Sequence, residues 1–478
     1  MLGLILGFLG LVNCATDTTI KSADSTRVVT VNRILIIGNK ITKDRIISRE
    51  LSLKSGDTIS LKRLAHTLLW DKRKIYNLRL FHTVNVRSID LQNGMIDLLI
   101  EVSERWYIFP IPIFELSDRN FSEWWHNYNH DISRVNYGLD LTFYNFRGRN
   151  EMLHLIAQFG FTERFQISYR IPYIDKKQKQ GLAFNIDYSA PKNLAYSTEN
   201  LQTFTHPHVL QYLKYDKTLK TTKGASVTYS YRKSFFETHN IQIGYRVTQI
   251  NDTIAKLNSN YFGDNRLKLK YANIGYSFNS EHRDVVQYPL RGYQLAGFVM
   301  QTGLGFGSSI NMFEAGISYA RHFDLTHHWF LSNYTGGYLA MPTNQPYALY
   351  SGMGRIQYVR GFENYVIETP AYAINKTTLK KRIFYKVWSL DWMPAQQLAY
   401  FPLSIYIKTY ADWGYAKNYP YYEKYQTTAL NTSFTNKLIG GYGAGLDFYT
   451  VYDIVIRCEY TFTNQQHHGF FLSLKKEF

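Results

Sequence analysis

Ile241-Gln242-Ile243-Gly244-Tyr245-Arg246-Val247-Thr248 is the stretch that decides the fold. Ile241, Ile243, Tyr245 and Val247 alternate with Gln242, Gly244, Arg246 and Thr248. Successive side chains of a strand point to opposite faces, so one face suits lipid and the other a wet interior. The same split sets Tyr452, Ile454, Ile456, Cys458 and Tyr460 against Asp453, Arg457 and Glu459. It also sets Tyr442, Ala444, Leu446 and Phe448 against Gly441, Gly443 and Gly445, and side-chain-free positions on the wet face leave room for something inside. Such segments of about ten residues recur beyond Arg105, the length of a tilted membrane strand.

Composition agrees with a β-type membrane span. Aromatic residues make up 16% of the chain, and membrane barrels concentrate them at both interfaces. After the first fifteen residues there is no apolar run of 18, so a transmembrane helix is not on offer. Met1 to Val12 has the length of a signal-peptide core, although no basic residue precedes it. We expect cleavage near Cys14 or Ala15 in preference to lipidation of Cys14, with residues 16–26 as a linker. Cys458 then stands alone, which excludes an intramolecular disulfide and a cysteine-rich metal site. The net charge of +17 is not accompanied by a nucleic-acid module, and points to an anionic membrane surface or an acidic client. His-Glu-x-x-His, Gly-x-Ser-x-Gly and phosphate-loop patterns are all missing, and the His pairs lie in predicted loops. The expectation is a protein without catalysis, cofactor or metal.

Residues 27–105 follow another rhythm. Val29, Val31, Ile34 and Ile36 form an extended stretch closed by Gly38-Asn39. Thr42 then stands as the N-cap of a short helix from Lys43 to Leu51. After a Gly56-Asp57 turn, Ser60 caps an amphipathic helix carrying Leu61, Leu64, Leu68 and Ile75. Phe81 to Ile89 and Ile96 to Val102 alternate as strands around Asn93-Gly94, a hairpin signal. Fifteen Lys and Arg against eight Asp and Glu leave this module at +7.

This β-α-α-β-β order, with Ile46 to Leu51, Gly56-Asp57 and Leu80-Phe81 in place, resembles a POTRA (polypeptide-transport-associated) domain. Farther on, Val359-Arg360-Gly361-Phe362 is followed by Tyr410-Ala411-Asp412-Trp413-Gly414, and the chain ends on Phe478. Asn145-Phe146-Arg147-Gly148, Arg170-Ile171-Pro172-Tyr173, and Asp284 with Pro289-Leu290-Arg291-Gly292-Tyr293 stand in matching order. Together these resemble the BamA/TamA-like superfamily of outer-membrane assembly and translocation barrels, the bacterial surface antigen family. The resemblance implies a transmembrane β-barrel of about sixteen antiparallel strands over residues 106–478, preceded by one POTRA domain over 27–105.

It also implies that Arg360 rides on a long extracellular loop folded back into the lumen, where it pairs with an acidic wall residue. Asp412 is that partner by alternation, since Ser404, Tyr406, Lys408, Tyr410 and Asp412 share the lumen parity. Asp391 matches a second acidic position, although the alternation around it leaves its facing open. A guanidinium grips a carboxylate with two parallel hydrogen bonds, so such a pair holds a loop in one orientation. Gly361 lets the turn pass close to the wall, and Phe362 anchors its tip. Phe470, Leu472, Leu474 and Phe478 resemble a C-terminal recognition strand, from which Lys476 departs. The implied setting is the bacterial outer membrane, with POTRA in the periplasm. The implied partners are client polypeptides, outer-membrane lipid and periplasmic chaperones, with no nucleic acid. The work implied is insertion or translocation of clients, and the alternative is a porin-like passive channel.

Overall fold

A computed structural model describes residues 27–116, 132–199, 209–214, 217–305, 307–349, 352–353, 357–363, 365, 367–390, 392, 399–420, 433–450 and 453–474. The expected signal peptide and linker lie outside them. The N-terminal module runs β1 (Val28–Ile37), α1 (Asp44–Ser48), β2 (Thr58–Ser60), α2 (Leu61–Tyr76), β3 (Phe81–Asp90) and β4 (Met95–Glu104). Its sheet has the order β2-β1-β4-β3, with β1 and β4 parallel. Ile46 and Ile47 of α1 and Leu64 and Ile75 of α2 face the sheet and pack on Leu98 and Ile100. Asn93 and Gly94 both take positive φ, the conformation a tight two-residue turn demands.

Two local expectations need correction. The three-residue β2 is an added strand, held by pairing to β1 where local pattern shows only a turn. Thr42 is not the cap of α1, because Lys43 occupies that place and the helix spans only Asp44–Ser48. The Thr42 hydroxyl instead donates to buried Glu104 at 2.6 Å, as does its N–H at 2.7 Å. A carboxylate removed from water needs donors more than an exposed helix end does.

The barrel begins one turn later. Its strands are β5 (Ile108–Leu116), β6 (Val135–Phe146), β7 (Glu151–Gly160), β8 (Thr162–Ile171), β9 (Gln180–Pro191), β12 (Lys220–Arg232), β13 (Glu237–Ile250) and β14 (Lys268–Glu281) in the first half. The second half is β15 (Gly292–Thr302), β16 (Met312–Asp324), β17 (Trp329–Met341), β18 (Ala371–Ser389), β19 (Tyr400–Ala416), β20 (Leu438–Tyr449), β21 (Val455–Thr463) and β22 (His468–Leu474). A separate hairpin, β10 (Asn193–Glu199) and β11 (Val209–Lys214), interrupts the series. The sixteen form one sheet, each antiparallel to its neighbours. Lipid-parity residues such as Ile243, Ile317 and Leu472 are exposed on the outside, whereas Tyr406, Lys408, Tyr410 and Asp412 are buried within.

β5 and β22 end the sheet, and among the described residues no ladder joins them. The Tyr144 N–H donates to the Tyr107 carbonyl at 2.7 Å, which makes the odd-numbered residues of β5 those bonded to β6. Even-numbered residues therefore aim their backbone groups at the seam. Two of them are Pro110 and Pro112, which have no N–H to offer. The seam-facing carbonyl of Ile108 accepts from the Trp106 indole.

The module docks beneath the barrel, on the side of the turns that follow β6, β8, β12, β14 and β20. Arg232 grips Glu50 through two bonds of 2.6 and 2.8 Å. Arg105 reaches Asp453 at 2.9 Å, both buried. Asn145 donates to the Thr42 hydroxyl at 2.8 Å, and Lys43 N–H donates to the Gly148 carbonyl at 2.9 Å. Asn77 at the end of α2 donates to the Asp284 carbonyl at 3.2 Å.

Candidate functional site

The segment between β17 and β18 enters the lumen from the end opposite the module, and its tip is Val359–Phe362. Gly361 has φ +89°, and a Cβ there would stand 2.5 Å from the Thr463 methyl of β21, so conformation and space both require glycine. That turn aims Arg360 at the wall. Its Nε donates to Asp412 Oδ2 at 2.7 Å and its Nη2 to Oδ1 at 2.6 Å, a two-pronged grip on β19. The Arg360 backbone N–H adds a third bond to Asp412 at 3.2 Å. Thr378 of β18 accepts from Nη2 at 2.9 Å, and the guanidinium lies 3.9 Å from the centre of the Tyr410 ring. Asp412 is fully buried and Arg360 nearly so, so neither charge has water as an alternative partner.

The lumen-side glycines act where the loop arrives. A Cβ on Gly441 would fall 1.8 Å from the Arg360 carbonyl oxygen, so the bare backbone of β20 is the space the loop tip occupies. A Cβ on Gly443 would fall 2.1 Å from the Tyr460 carbonyl of β21 and 2.8 Å from the Tyr410 hydroxyl, so the glycine makes way for both. Phe362 is buried and meets Phe434 edge-on at 5.3 Å, within an apolar cluster that includes Val359, Met353, Tyr365 and Ile439. Asp391 lies outside the described residues, as does Phe478. Phe470 and Leu472 project from the outer face of β22, and Leu474 pairs through its backbone with Ile456.

Sequence reasoning left several participants unassigned. Glu459 of β21 lies 3.4 Å from Arg360 Nη1 and 2.8 Å from Lys408 Nζ. Lys408 also meets Asp447 at 2.5 Å. Asp447 in turn accepts from the Tyr288 hydroxyl at 2.9 Å. Tyr288 belongs to the turn between β14 and β15, which folds inward from the module's side and packs on Tyr406 and Tyr449. Asp284 shapes that turn by accepting from the N–H groups of Val285, Leu290 and Arg291. A continuous polar file thus runs along the lumen wall from the module-side turn to the loop tip: Tyr288, Asp447, Lys408, Glu459, Arg360, Asp412. Lumen parity was the available signal for Glu459, while the depth reached by the loop was not in the pattern.

A sixteen-stranded barrel, plugged by an arginine-latched loop and carrying a small α+β module under its mouth, defines a class of outer-membrane barrel. The Omp85 superfamily domain matches residues 145–471, and the surface antigen variable number repeat of the POTRA family matches residues 29–105. The chain belongs to the Omp85 superfamily, the outer-membrane barrels of protein insertion and translocation, with its POTRA domain in the periplasm. CdiB from Escherichia coli superposes with a TM-score of 0.52 at 11% identity, over 94% of this chain and 74% of that one, and shows the same fold. BamA from Haemophilus ducreyi lacking POTRA domains 1–3 gives 0.49 at 15% identity, over 93% and 83%. CdiB from Acinetobacter baumannii gives 0.47 at 14%, over 94% and 74%. No curated protein sequence matches the chain.

Proposed function

We propose that residues 27–105 receive an extended polypeptide client in the periplasm and that the barrel, residues 106–478, delivers it into or across the outer membrane. Delivery involves no covalent chemistry and no cofactor. The client adds to the free edge of β3, where a strand can gain main-chain hydrogen bonds. It then leaves laterally through the β5/β22 seam or through the lumen. The observation that carries this reading is the seam itself. Every other strand boundary of the barrel is laddered, whereas here Pro110 and Pro112 withhold two donors that a closed ladder would use. The latch of Arg360 to Asp412 holds the loop beside this seam, on strands β19 to β21, and so keeps the lumen plugged until a client engages.

Photo-crosslinkers at Arg87 on the β3 edge and at Leu472 on β22 test the proposal in intact cells. Both positions are expected to capture outer-membrane or secreted polypeptides. No adduct at either, together with a steady ion conductance of the wild-type protein in planar bilayers, would overturn it in favour of a passive channel.

A further inference from the structure

Between α2 and the lumen wall lies a cavity of about 600 Å³, within the size range of ligand clefts, roughly 300–1,000 Å³. The module lines it with Arg73, Lys74 and Arg79, and the barrel with Arg170, Lys179, Arg232 and Arg283. Among the lining residues only Glu50 and Glu281 are acidic, and both are committed, Glu50 to Arg232 and Glu281 to Arg283, while Lys74 pairs with Asp71 and Arg79 with Asp453 outside the lining. A surface arginine in water needs no explanation. One of these cations is placed differently. Arg283 is 4% exposed, donates Nε and Nη2 to Glu281, and leaves a buried Nη1 with no hydrogen-bond partner among the described residues. Arg170 has lumen parity on β8 and is solvent-exposed, its side chain lining the cavity.

Leaving a buried donor unmet is costly unless something arrives to meet it. Trp70, Tyr173, Phe235 and Phe236 supply aromatic walls between the cations. Strands β8, β9 and β12 to β14 separate the cavity from lipid, so its occupant comes from the periplasm or the lumen, along the route of a client. We propose that this vestibule binds a short acidic segment of a polypeptide in transit, with aromatic side chains between its carboxylates. The arginines of the vestibule bond those carboxylates and the rings of Trp70 and Phe236 receive the aromatic groups, so clients are sorted by charge before they reach the lumen. The inference rests on the chain being a polypeptide-handling barrel and adds which polypeptides it selects.

The test uses the purified full-length protein in detergent micelles and two fluorescein-labelled peptides, Gly-Asp-Phe-Asp-Phe-Asp-Gly and its Asn counterpart, read by anisotropy. The acidic peptide is expected to bind and the Asn peptide not to compete. Arg170→Gln should weaken binding about tenfold or more, as loss of a charge-assisted bond does. Arg283→Lys, which keeps the charge but loses the unmet Nη1, should weaken it severalfold. Arg246→Gln, which removes a lumen cation paired to Asp187 outside the vestibule, should not change it. Heat-modifiable gel migration confirms that each variant is a folded barrel. Equal binding of both peptides, or binding indifferent to Arg170→Gln, overturns the proposal. So does displacement by inorganic phosphate or phosphatidylglycerol vesicles at peptide-like concentrations, which makes the site a general anion or lipid site. If the peptide fails while the β3 and β22 crosslinks persist, only the vestibule is wrong; if the crosslinks are also missing, the functional reading falls with it.

Discussion

Arginine grips carboxylate at both ends of this barrel, and the two junctions do different work. At the outer end Arg360 binds Asp412 with Glu459, Thr378 and Tyr410 gathered round it, so one side chain on a loop is held by three strands of one wall. At the periplasmic end Arg232 binds Glu50 and Arg105 binds Asp453, each pair joining the POTRA domain to a different barrel turn. The outer junction fixes the position of a single segment deep in the lumen. The inner junctions fix the angle between two separately cored bodies and are spread over their contact. Losing one outer partner strands a buried charge with nowhere to go. Losing one inner partner also leaves a buried charge, but the other junctions still hold the two bodies together.

The largest effect is therefore expected from Arg360→Ala. Removing one partner of a buried ion pair costs about 3–5 kcal/mol, because Asp412 is left charged and dry. The barrel should stay folded, because its strand ladders do not involve the loop, while the loop leaves the wall. Planar-bilayer recordings should show larger and noisier conductance, and client delivery should fall at least about tenfold. Unchanged conductance would mean that the loop is held by the Phe362 cluster alone.

Gly441→Val separates space from charge. It keeps every charged group but places a side chain where the Arg360 carbonyl lies, and overpacking of this kind costs about 1–3 kcal/mol. The same conductance change as Arg360→Ala, somewhat weaker, is expected. A wild-type trace would show that the loop tip can shift along β20 without releasing Asp412.

Glu50→Gln probes the inner end. It removes the charge-assisted pair with Arg232, worth about 1.5–3 kcal/mol, while Arg105–Asp453 and the Thr42–Glu104–Asn145 joint remain. Hydrogen exchange should rise in α1 and in the turn after β12 and remain unchanged at the loop tip. Faster exchange at the tip would show that the two ends are not separate.

How much of this was legible follows the same division. The barrel was readable because period-two alternation is written into each strand, and 241–248 alone displays both faces. Asp412 could be nominated because its parity was visible and a motif pointed to it. Glu459 and Asp447 had the right parity but no assigned role, since nothing local says how deep a loop descends. The inner junctions were invisible: Glu50 and Arg232 lie 182 residues apart and each looks like an ordinary surface charge until the module docks. Thr42 misled for the related reason that a long-range carboxylate outbid a local helix end.

Pro110→Val with Pro112→Val asks whether the seam is weak by composition. Restoring two N–H groups on the open edge of β5 allows up to two further hydrogen bonds, each worth about 0.5–1.5 kcal/mol. The double variant should unfold at higher temperature on heat-modifiable gels and deliver clients more slowly. Faster delivery would remove the seam from the pathway and leave the lumen as the exit.

The smallest change tests whether the two ends communicate. Tyr288→Phe deletes only the hydroxyl that bonds Asp447, a loss of about 1.5 kcal/mol, and keeps the ring on Tyr406 and Tyr449. If the file from Tyr288 to Arg360 is a set of independent bonds, its cost adds to that of Arg360→Lys within about 0.5 kcal/mol. If the file moves as one unit, Asp447 left short of a donor draws Lys408 toward itself and away from Glu459, and Glu459 then turns more fully to Arg360. The double variant would in that case depart from additivity by about 1 kcal/mol or more. The measurement is a double-mutant cycle on loop release, read as protease sensitivity of the segment between β17 and β18. Non-additivity would place the POTRA-side turn and the latch in one switch, because Asn77 at the end of α2 holds that turn from below. Strict additivity would leave the barrel with two unconnected locks.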